Sequence, residues 1–291
     1  MKNYCSYYNN TFRKKEEGKW IFFAFWQDMC YCIEKGGIAM KARIDTIPVH
    51  EAMESGDECP FCYLQRQTEQ RIIKYVLGPG ASYMEPDVRA ATDQEGFCRE
   101  HFKKMYDFGN SLGSALIMQT YMVSLFEEME KEMDHFHIPG KRPMFGKKFA
   151  DEASQLEAWA EKKMGSCYVC RRLDENMDRY YATFFTLTKD KEFRKQVEST
   201  KGFCMRHFID LMRYANEELP NDQREWFYPT LFRLMKENVA RVKGDLDWFI
   251  AKFDYRNAGA DWKNSKDAVS RSMQKLQGSY PADPVFRNEP R

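Results

Sequence analysis

A pair of short motifs that occurs twice constrains the fold of this chain more than any other feature. Each copy consists of C-x-x-C followed by G-F-C-x-x-H-F, which contains C-x-x-H. From the second cysteine of C-x-x-C to the cysteine of C-x-x-H the distance is 36 residues in the first copy and 34 in the second. The second motif realigns at a constant offset of 106 residues, from Gly96 and Gly202 as far as Asn110 and Asn216. Because whole motifs recur at one offset, we predict an internal duplication.

Six cysteines and two histidines in these motifs are the residues most suited to binding a metal ion. We assign them in chain order, so that each C-x-x-C pairs with the C-x-x-H that follows it in the same repeat. The predicted tetrads are Cys59, Cys62, Cys98 and His101 in the first repeat, and Cys167, Cys170, Cys204 and His207 in the second.

The chemistry of each tetrad favours a structural zinc ion. Two thiolates in a tight turn reach one ion, and C-x-x-H at a helix start adds two ligands from the same turn. Three cysteines and one histidine then close a tetrahedron, with no position open for a catalytic water. We predict two zinc ions per chain. An iron-sulfur cluster with one histidine ligand, or thiol redox chemistry without a stable metal, is the alternative.

Hydrophobic periodicity predicts helices throughout and no strands. Helices are predicted after each C-x-x-C, over residues 63–77 and 171–187, with shorter ones over 85–94 and 191–199. Two longer segments repeat apolar residues every three or four positions, as in a helix with one buried face. These stripes are Leu112, Leu116, Met122, Val123, Phe126, Met129, Met133 and Phe136, and then Phe227, Leu231, Met235, Val239, Val242, Leu246, Phe249 and Phe253. We predict an all-α fold of two homologous helical units, each stapled by a Cys3His metal site.

The first 39 residues differ from the rest of the chain, because they lack a clean period and lie outside the repeat. The codons of Lys35, Gly36 and Gly37 can spell a ribosome-binding sequence. Met40 follows them at a distance suitable for a translation start. We expect translation to begin at Met40 and residues 1–39 to be a non-native or disordered extension; a genuine N-terminal arm is the alternative. The predicted repeats span 40–138 and 149–278, with a connector at 139–148 and a tail at 279–291.

Charge and hydropathy argue against a nucleic-acid-binding or membrane protein. The chain has 45 basic and 44 acidic residues, a net charge of +1, so it carries no overall field for a polyanion. The apolar run at 20–26 is far below the roughly 20 residues that span a bilayer, and it lacks the features of a signal peptide. We expect a cytoplasmic protein without a membrane span. In such a chain, close C-x-x-C pairs favour metal binding over disulfides.

Several other polar residues are interpreted without a role at a site. His50 is expected to pack at a helix start, and His135 and His137 to lie on the surface or cap a helix. The acidic residues beside the C-x-x-C pairs are interpreted as solvated helix ends, with partners of the ligands or acid-base groups as the alternative: Asp57, Glu58, Asp174 and Glu175. Local basic spots leave nucleic-acid binding as the alternative: Lys141, Arg142, Lys147, Lys148, Arg171 and Arg172. An aromatic set is interpreted as core, with a ligand cavity as the alternative: Tyr180, Tyr181, Phe184, Phe185, Trp226, Phe227 and Tyr228. No P-loop, dinucleotide, metalloprotease or nucleophile-elbow motif is present.

The duplicated motifs, together with Ile44-Asp45-Thr46-Ile47-Pro48-Val49 after Met40, carry a resemblance. Over residues 40–278 the chain resembles an uncharacterised family of anaerobic Firmicutes proteins, whose members begin near the equivalent of Met40. Some members are labelled transporter substrate-binding components, but this chain lacks the lipoprotein signal and the α/β two-lobe pattern of that class. The resemblance implies no established activity.

The function predicted from these features is a zinc-binding helical protein that acts as a binding or interaction module. Its partner is an unknown protein or small-molecule ligand. One alternative is an enzyme or redox protein that uses an interhelical pocket, an iron-sulfur cluster or the C-x-x-C thiolates. A nucleic-acid-binding module is the second alternative.

Overall fold

The computed structural model describes residues 44–136 and 152–278, together with the backbone of two short strands near the N-terminus. The chain divides into a unit of residues Met1–Lys41 and a larger unit of residues Ala42–Arg291. The first unit contains strands β1 (Lys14–Glu16) and β2 (Lys19–Ile21), which pair antiparallel with Lys15 opposite Trp20. The predicted connector, the predicted tail and most of residues 1–39 lie outside the described residues.

The larger unit is helical in its described part, which confirms the all-α prediction for the region that contains the motifs. Two single turns of 3-10 helix, Ser82–Met84 and Tyr255–Asn257, add to the α-helices. The α-helices are α1 (Ile47–Glu54), α2 (Pro60–Leu77), α3 (Pro86–Glu95), α4 (Arg99–Phe108), α5 (Ser111–Asp134), α6 (Glu152–Gly165), α7 (Tyr168–Leu187), α8 (Lys191–Ser199), α9 (Met205–Glu218), α10 (Asn221–Ala251) and α11 (Ala268–Gln277).

A cysteine precedes each of the four helices that carry the motifs. Cys59, Cys98, Cys167 and Cys204 have extended backbone angles, and α2, α4, α7 and α9 begin at the next residue. The second ligand of each motif is the third residue of its helix, so both ligands lie on the first turn. At α7 and α9 the capping sulfur also accepts a backbone N–H of that turn, as side-chain oxygens do at other helix starts.

The glycine of each G-F-C-x-x-H-F motif is required by its backbone and its neighbours. Gly96 and Gly202 have φ angles of +61° and +74°, where a side chain is strained. A Cβ atom on Gly96 would lie 2.5 Å from the Tyr121 ring, and one on Gly202 would lie 3.0 Å from the Leu234 carbonyl oxygen. The motif therefore allows close packing where the chain turns into α4 and α9.

The core of the unit lies where α2 packs against α7. Phe61 of α2 stacks on Tyr181 of α7 with ring centroids 4.5 Å apart, and its edge meets Phe184 at 5.5 Å. Tyr180, Phe184 and Phe185 are buried as well, which agrees with the interpretation of this aromatic set as core. Because α2 and α7 follow the two C-x-x-C motifs, helices from both halves of the chain share one core.

The two long helices are present, but the stripe predicted to be buried on α5 lies in solvent. Met122, Phe126 and Met133 are 49%, 48% and 51% exposed, because α5 packs on α3 through its opposite side. Gly113 and Ile117 are buried there. On α10 the stripe residues Phe227, Leu231, Met235 and Val242 are buried, Leu246 and Phe249 are half-buried, and Val239 and Phe253 are exposed. The burial prediction is therefore wrong for α5 and right for half of the stripe on α10.

Candidate metal centres

The eight predicted ligands come together in two groups of four, but the groups differ from the predicted tetrads. Site 1 consists of Cys59, Cys62, Cys204 and His207; site 2 consists of Cys98, His101, Cys167 and Cys170. In each site the ligand atoms all lie within 4.8 Å of one another. The assignment of each C-x-x-C to the next C-x-x-H is therefore wrong, because each site combines motifs from different halves of the chain.

Contacts between the helix starts explain this exchange. At site 2, the Tyr168 backbone N–H donates to the Gly96 carbonyl at 2.9 Å, and Ser166 Oγ donates to the Glu95 carbonyl at 2.7 Å. These bonds hold the start of α7 beside the start of α4. At site 1, Lys201 Nζ donates to the Gly56 carbonyl at 2.7 Å and joins the segments before α2 and α9. The two C-x-x-C motifs offer identical ligands, and so do the two C-x-x-H motifs, so ligand chemistry and order along the chain do not determine these partners.

The distances within site 1 match a tetrahedron around one ion. His207 Nδ1 lies 3.4 Å from Cys59 Sγ, 3.5 Å from Cys62 Sγ and 3.2 Å from Cys204 Sγ. The Cys62 and Cys204 sulfurs are 3.7 Å apart. With bonds of about 2.3 Å to sulfur and about 2.0 Å to nitrogen, a tetrahedral zinc site has S–S edges of ~3.8 Å and S–N edges of ~3.5 Å. The four residues fit one zinc-sized ion.

Site 2 has the same geometry with the same ring nitrogen. His101 Nδ1 lies 3.1 Å from Cys98 Sγ, 3.3 Å from Cys167 Sγ and 3.4 Å from Cys170 Sγ. The sulfurs of Cys98 and Cys170 are 3.8 Å apart, well beyond a disulfide bond of about 2.05 Å. All six cysteines of the two sites are free thiols, as metal ligation requires.

In each site one thiol is favoured as thiolate and a neighbouring thiol is not. Hydrogen bonds with Cys59 and Cys62 lower the pKa of Cys204, whereas the hydrogen bond with Cys204 raises the pKa of Cys62 and burial raises that of Cys170. Burial opposes charge on Cys167, but the hydrogen bond with His101 and backbone N–H groups lower the pKa of that thiol to about 6. Burial likewise opposes a charged imidazole, but nearby thiolates raise the pKa of His101 and of His207 to about 10. A metal ion would therefore replace the proton that each histidine shares with its cysteines.

A carboxylate that sequence reasoning missed orients the histidine of site 2. His101 Nε2 donates to Glu69 Oε1 at 2.9 Å, and Lys104 Nζ donates to the same oxygen at 2.6 Å. A histidine that ligates a metal commonly donates its other N–H to a carboxylate, which fixes the ring orientation. Glu69 follows Cys62 by seven residues and so shares its side of α2. This seven-residue spacing is the feature of the sequence from which a buried acid near the sites could have been predicted.

Helix α11 covers site 1, and sequence reasoning did not predict this helix. The buried Lys275 Nζ donates to the carbonyls of Glu58 and Lys201, the latter at 2.6 Å, and lies 3.2 Å from the Glu58 carboxylate. Burial opposes charge on Glu58, but Arg241 and Lys275 hold the pKa of its carboxyl below the ordinary value. A Cβ atom on Gly278, where α11 ends, would lie 3.7 Å from Cys204 Sγ.

The two sites differ in access to solvent. All four ligands of site 1 are buried. In site 2, His101 and Cys167 are buried, whereas Cys98 and Cys170 are half-buried. A reagent in solution therefore reaches two thiolates of site 2 and meets α11 before it reaches site 1.

The acidic residues beside the motifs divide between the site and the surface. The Cys59 backbone N–H donates to Asp57 Oδ1 at 3.0 Å, and Asp57 also pairs with Arg66 at 2.9 Å, so Asp57 and Glu58 are partners of site 1. Glu175 instead pairs with Arg171 at 2.6 Å on an exposed part of α7. The interpretation as solvated helix ends is therefore wrong for Glu58, which is buried beside site 1, and agrees with the exposed Asp174 and Glu175.

The remaining predicted candidates lie away from both sites or outside the described residues. His50 Nδ1 bonds Gln196 at 2.8 Å and its ring meets Phe193 at 5.3 Å, so it packs α1 against α8. His135 Nδ1 bonds the Lys131 carbonyl at the end of α5. His137 and the connector residues Lys141, Arg142, Lys147 and Lys148 lie outside the described part of the chain.

Replacing Glu69 by glutamine is expected to weaken metal binding at site 2 roughly 10- to 100-fold, because the His101 ring loses its carboxylate acceptor. Competition with a chromophoric chelator measures the two affinities. Site 1 serves as an internal reference, and Glu192→Gln, in an exposed pair with Lys195, is the matched control. Equal weakening of both sites, or no weakening, would contradict an orienting role for Glu69.

Comparison with known proteins adds a family and no activity. The model of a family of unknown function, designated DUF6062, matches residues 40–283. Neither the curated proteins nor the solved structures contain a match to the chain. None of the helices within 44–136 and 152–278 has the length and apolar character needed to cross a membrane.

Proposed function

We propose that this chain, which belongs to DUF6062, a family of unknown function, is a structural zinc protein that acts as a binding or interaction module. The observation that carries the proposal is the completeness of the two sites. Each has four protein ligands at tetrahedral distances, and each joins helices from the two halves of the chain. Ions so enclosed hold helices together and leave no position for a substrate.

The energy of metal binding supports a structural role. A structural zinc site supplies about 10 kcal/mol or more of apparent binding free energy, comparable with the entire stability of an ordinary domain. Site 1 closes a loop between Cys62 and Cys204, which are 142 residues apart. Site 2 closes one between Cys98 and Cys170, 72 residues apart. Closing such long loops removes much conformational entropy from the unfolded chain. Two ions would therefore stabilise the fold, and the fold would depend on them.

Zinc fits these ligands better than an iron-sulfur cluster does. A cluster distributes its ligands over several iron atoms, which spreads the ligand atoms further apart than a single ion does. The short S–S and S–N distances of both sites favour one ion in each. The requirement for six reduced thiols supports a cytoplasmic location, where disulfides are rare.

Metal analysis of protein purified without oxygen tests this proposal. We expect a colourless protein with two zinc ions per chain, and one ion in a Cys204→Ser variant that loses a ligand of site 1. Iron with a visible absorption band would replace the zinc proposal with an iron-sulfur protein. A metal-free protein of unchanged fold would contradict structural metal altogether.

Thiol redox chemistry is the second candidate, because one observation favours it. Cys98 and Cys170 are half-buried, and their sulfurs lie 3.8 Å apart, so a small movement would bring them to bonding distance. Metal-free protein in which oxidised glutathione converts the Cys98 and Cys170 thiols to a disulfide, with release of two reduced glutathione molecules, and in which excess reduced glutathione reverses this, would favour this role. A stable two-zinc protein without that disulfide would favour the structural one.

A further inference from the structure

The outer face of α5 carries a continuous stripe without a single charge. We define the α5 outer face as Ser111, Ala115, Met118, Met122, Phe126, Met129 and Met133. Successive members are three or four residues apart, so they form one face along the whole helix. Met118, Met122, Phe126 and Met133 are 39% to 51% exposed, and no described helix covers them. This face is an unusual surface for a helix in water.

The spacing of the stripe is symmetric about its centre. Residues 118 and 126 lie four positions on either side of Met122, residues 115 and 129 lie seven, and residues 111 and 133 lie eleven. When two α5 helices cross antiparallel at Met122, every member of the stripe meets another member. Phe126 then faces Met118, and Met129 faces the small Ala115. Such self-complementarity is what a two-fold interface requires, because the same patch serves both copies.

The charges of α5 favour the same arrangement. Residues 111–126 contain no charged side chain, whereas residues 127–134 carry five acidic residues against one basic residue, Lys131, so the C-terminal third is acidic. An antiparallel pair places each acidic third beside the uncharged part of the other helix. A parallel pair would place glutamate against glutamate, which is repulsive. The acidic end also opposes docking on an anionic membrane or on nucleic acid.

The exposed area suits a modest dimer. Leu112 and Val123 flank the stripe and are 67% and 55% exposed. With the four large exposed members of the stripe, they leave roughly 600 Å² of apolar surface per copy, or ~1,200 Å² for two, the lower end of specific interfaces. We propose that the α5 outer face is a homodimer interface in which two copies of this chain pair antiparallel about Met122.

The proposal names the partner of the interaction module and so rests on that part of the proposed function. Sedimentation of the metal-loaded full chain over a dilution series in the micromolar range tests it. We expect a dimer for the natural sequence and at least ~100-fold weaker association for Met122→Glu, since two carboxylates then meet at the centre. Met122→Lys should also be monomeric, and an equimolar mixture of the two variants should dimerise again.

A matched control separates the interface from general solubility. Ile250→Glu changes a 63% exposed apolar residue on α10 and should leave the dimer intact. The orientation is tested by Met118→Lys combined with Phe126→Glu. Antiparallel helices pair these opposite charges across the interface, so the double variant should associate at least ~10-fold more tightly than either single variant.

Metal content measured on the same samples distinguishes the two proposals. Monomeric variants that keep both ions locate the effect at the interface and leave the metal centres intact. A natural protein that is monomeric throughout the series, or a Met122→Glu variant that stays dimeric, overturns the interface. A mixture of the Met122 variants that fails to associate overturns it too.

Discussion

Protein stripped of both metal ions is expected to lose its helical signal in a single cooperative transition. Site 1 joins α2 to α9, and site 2 joins α4 to α7, so an ion in either site would connect the two halves of the chain. Removal of either ion therefore weakens both halves together. Each structural zinc is worth about 10 kcal/mol or more, against a total stability of roughly 5–15 kcal/mol for a typical domain.

Far-ultraviolet circular dichroism during chelation at mildly acidic pH measures this effect, with the residual metal determined on the same sample. The chelator already saturated with zinc is the control, and added zinc should restore the helices. Sites confined to single repeats would instead let one half unfold while the other kept its helices. Unchanged helical signal after verified removal of both ions would contradict structural metal.

Double serine variants are expected to distinguish the two possible pairings of the ligands by metal content alone. Cys62 and Cys204 belong to the same site, so replacing both should remove one ion and leave site 2 filled. Cys62 and Cys98 belong to different sites, so replacing both damages two sites and should leave no tightly held ion. The free energy of unfolding should also be lower for the Cys62 and Cys98 double variant than for the Cys62 and Cys204 double variant, by about the contribution of one structural ion.

Native mass spectrometry counts the ions held by the folded fraction of each variant. The variant with Cys98 and Cys170 replaced is the matched control, because it should lose site 2 alone. If the Cys62 and Cys98 variant kept one ion while the Cys62 and Cys204 variant kept none, each site would lie within one repeat. That result would overturn the arrangement of helices around both sites.

The identity of the ligands could be predicted from the sequence, whereas their pairing could not. Cysteines at helix starts are recognisable because C-x-x-C and C-x-x-H each place two ligands on one turn. The pairing depends on contacts between distant segments, such as the bond from the Tyr168 N–H to the Gly96 carbonyl. No local pattern encodes such a contact, and two identical motifs offer two assignments that are chemically equal.

Periodicity likewise predicted the long helices, but it did not predict what their apolar faces contact. A stripe such as Met118, Met122 and Phe126 shows that a helix has an apolar side. It does not show whether that side meets the core of its own chain. Helix α11 was missed for a related reason: it buries Arg271 and Lys275 among charges and carbonyls that include Glu58, although charged side chains are usually exposed. Burial of paired charges leaves no apolar signature in the sequence.

The exchange of ligands between the halves also fixes an order of events on the ribosome. Site 2 has all its ligands once Cys170 has been made, but site 1 waits for Cys204 and His207. Cys62 is therefore synthesised 142 residues before Cys204, a delay of roughly 7–30 s at bacterial or eukaryotic elongation rates. During that interval Cys59 and Cys62 wait for the other two ligands of site 1.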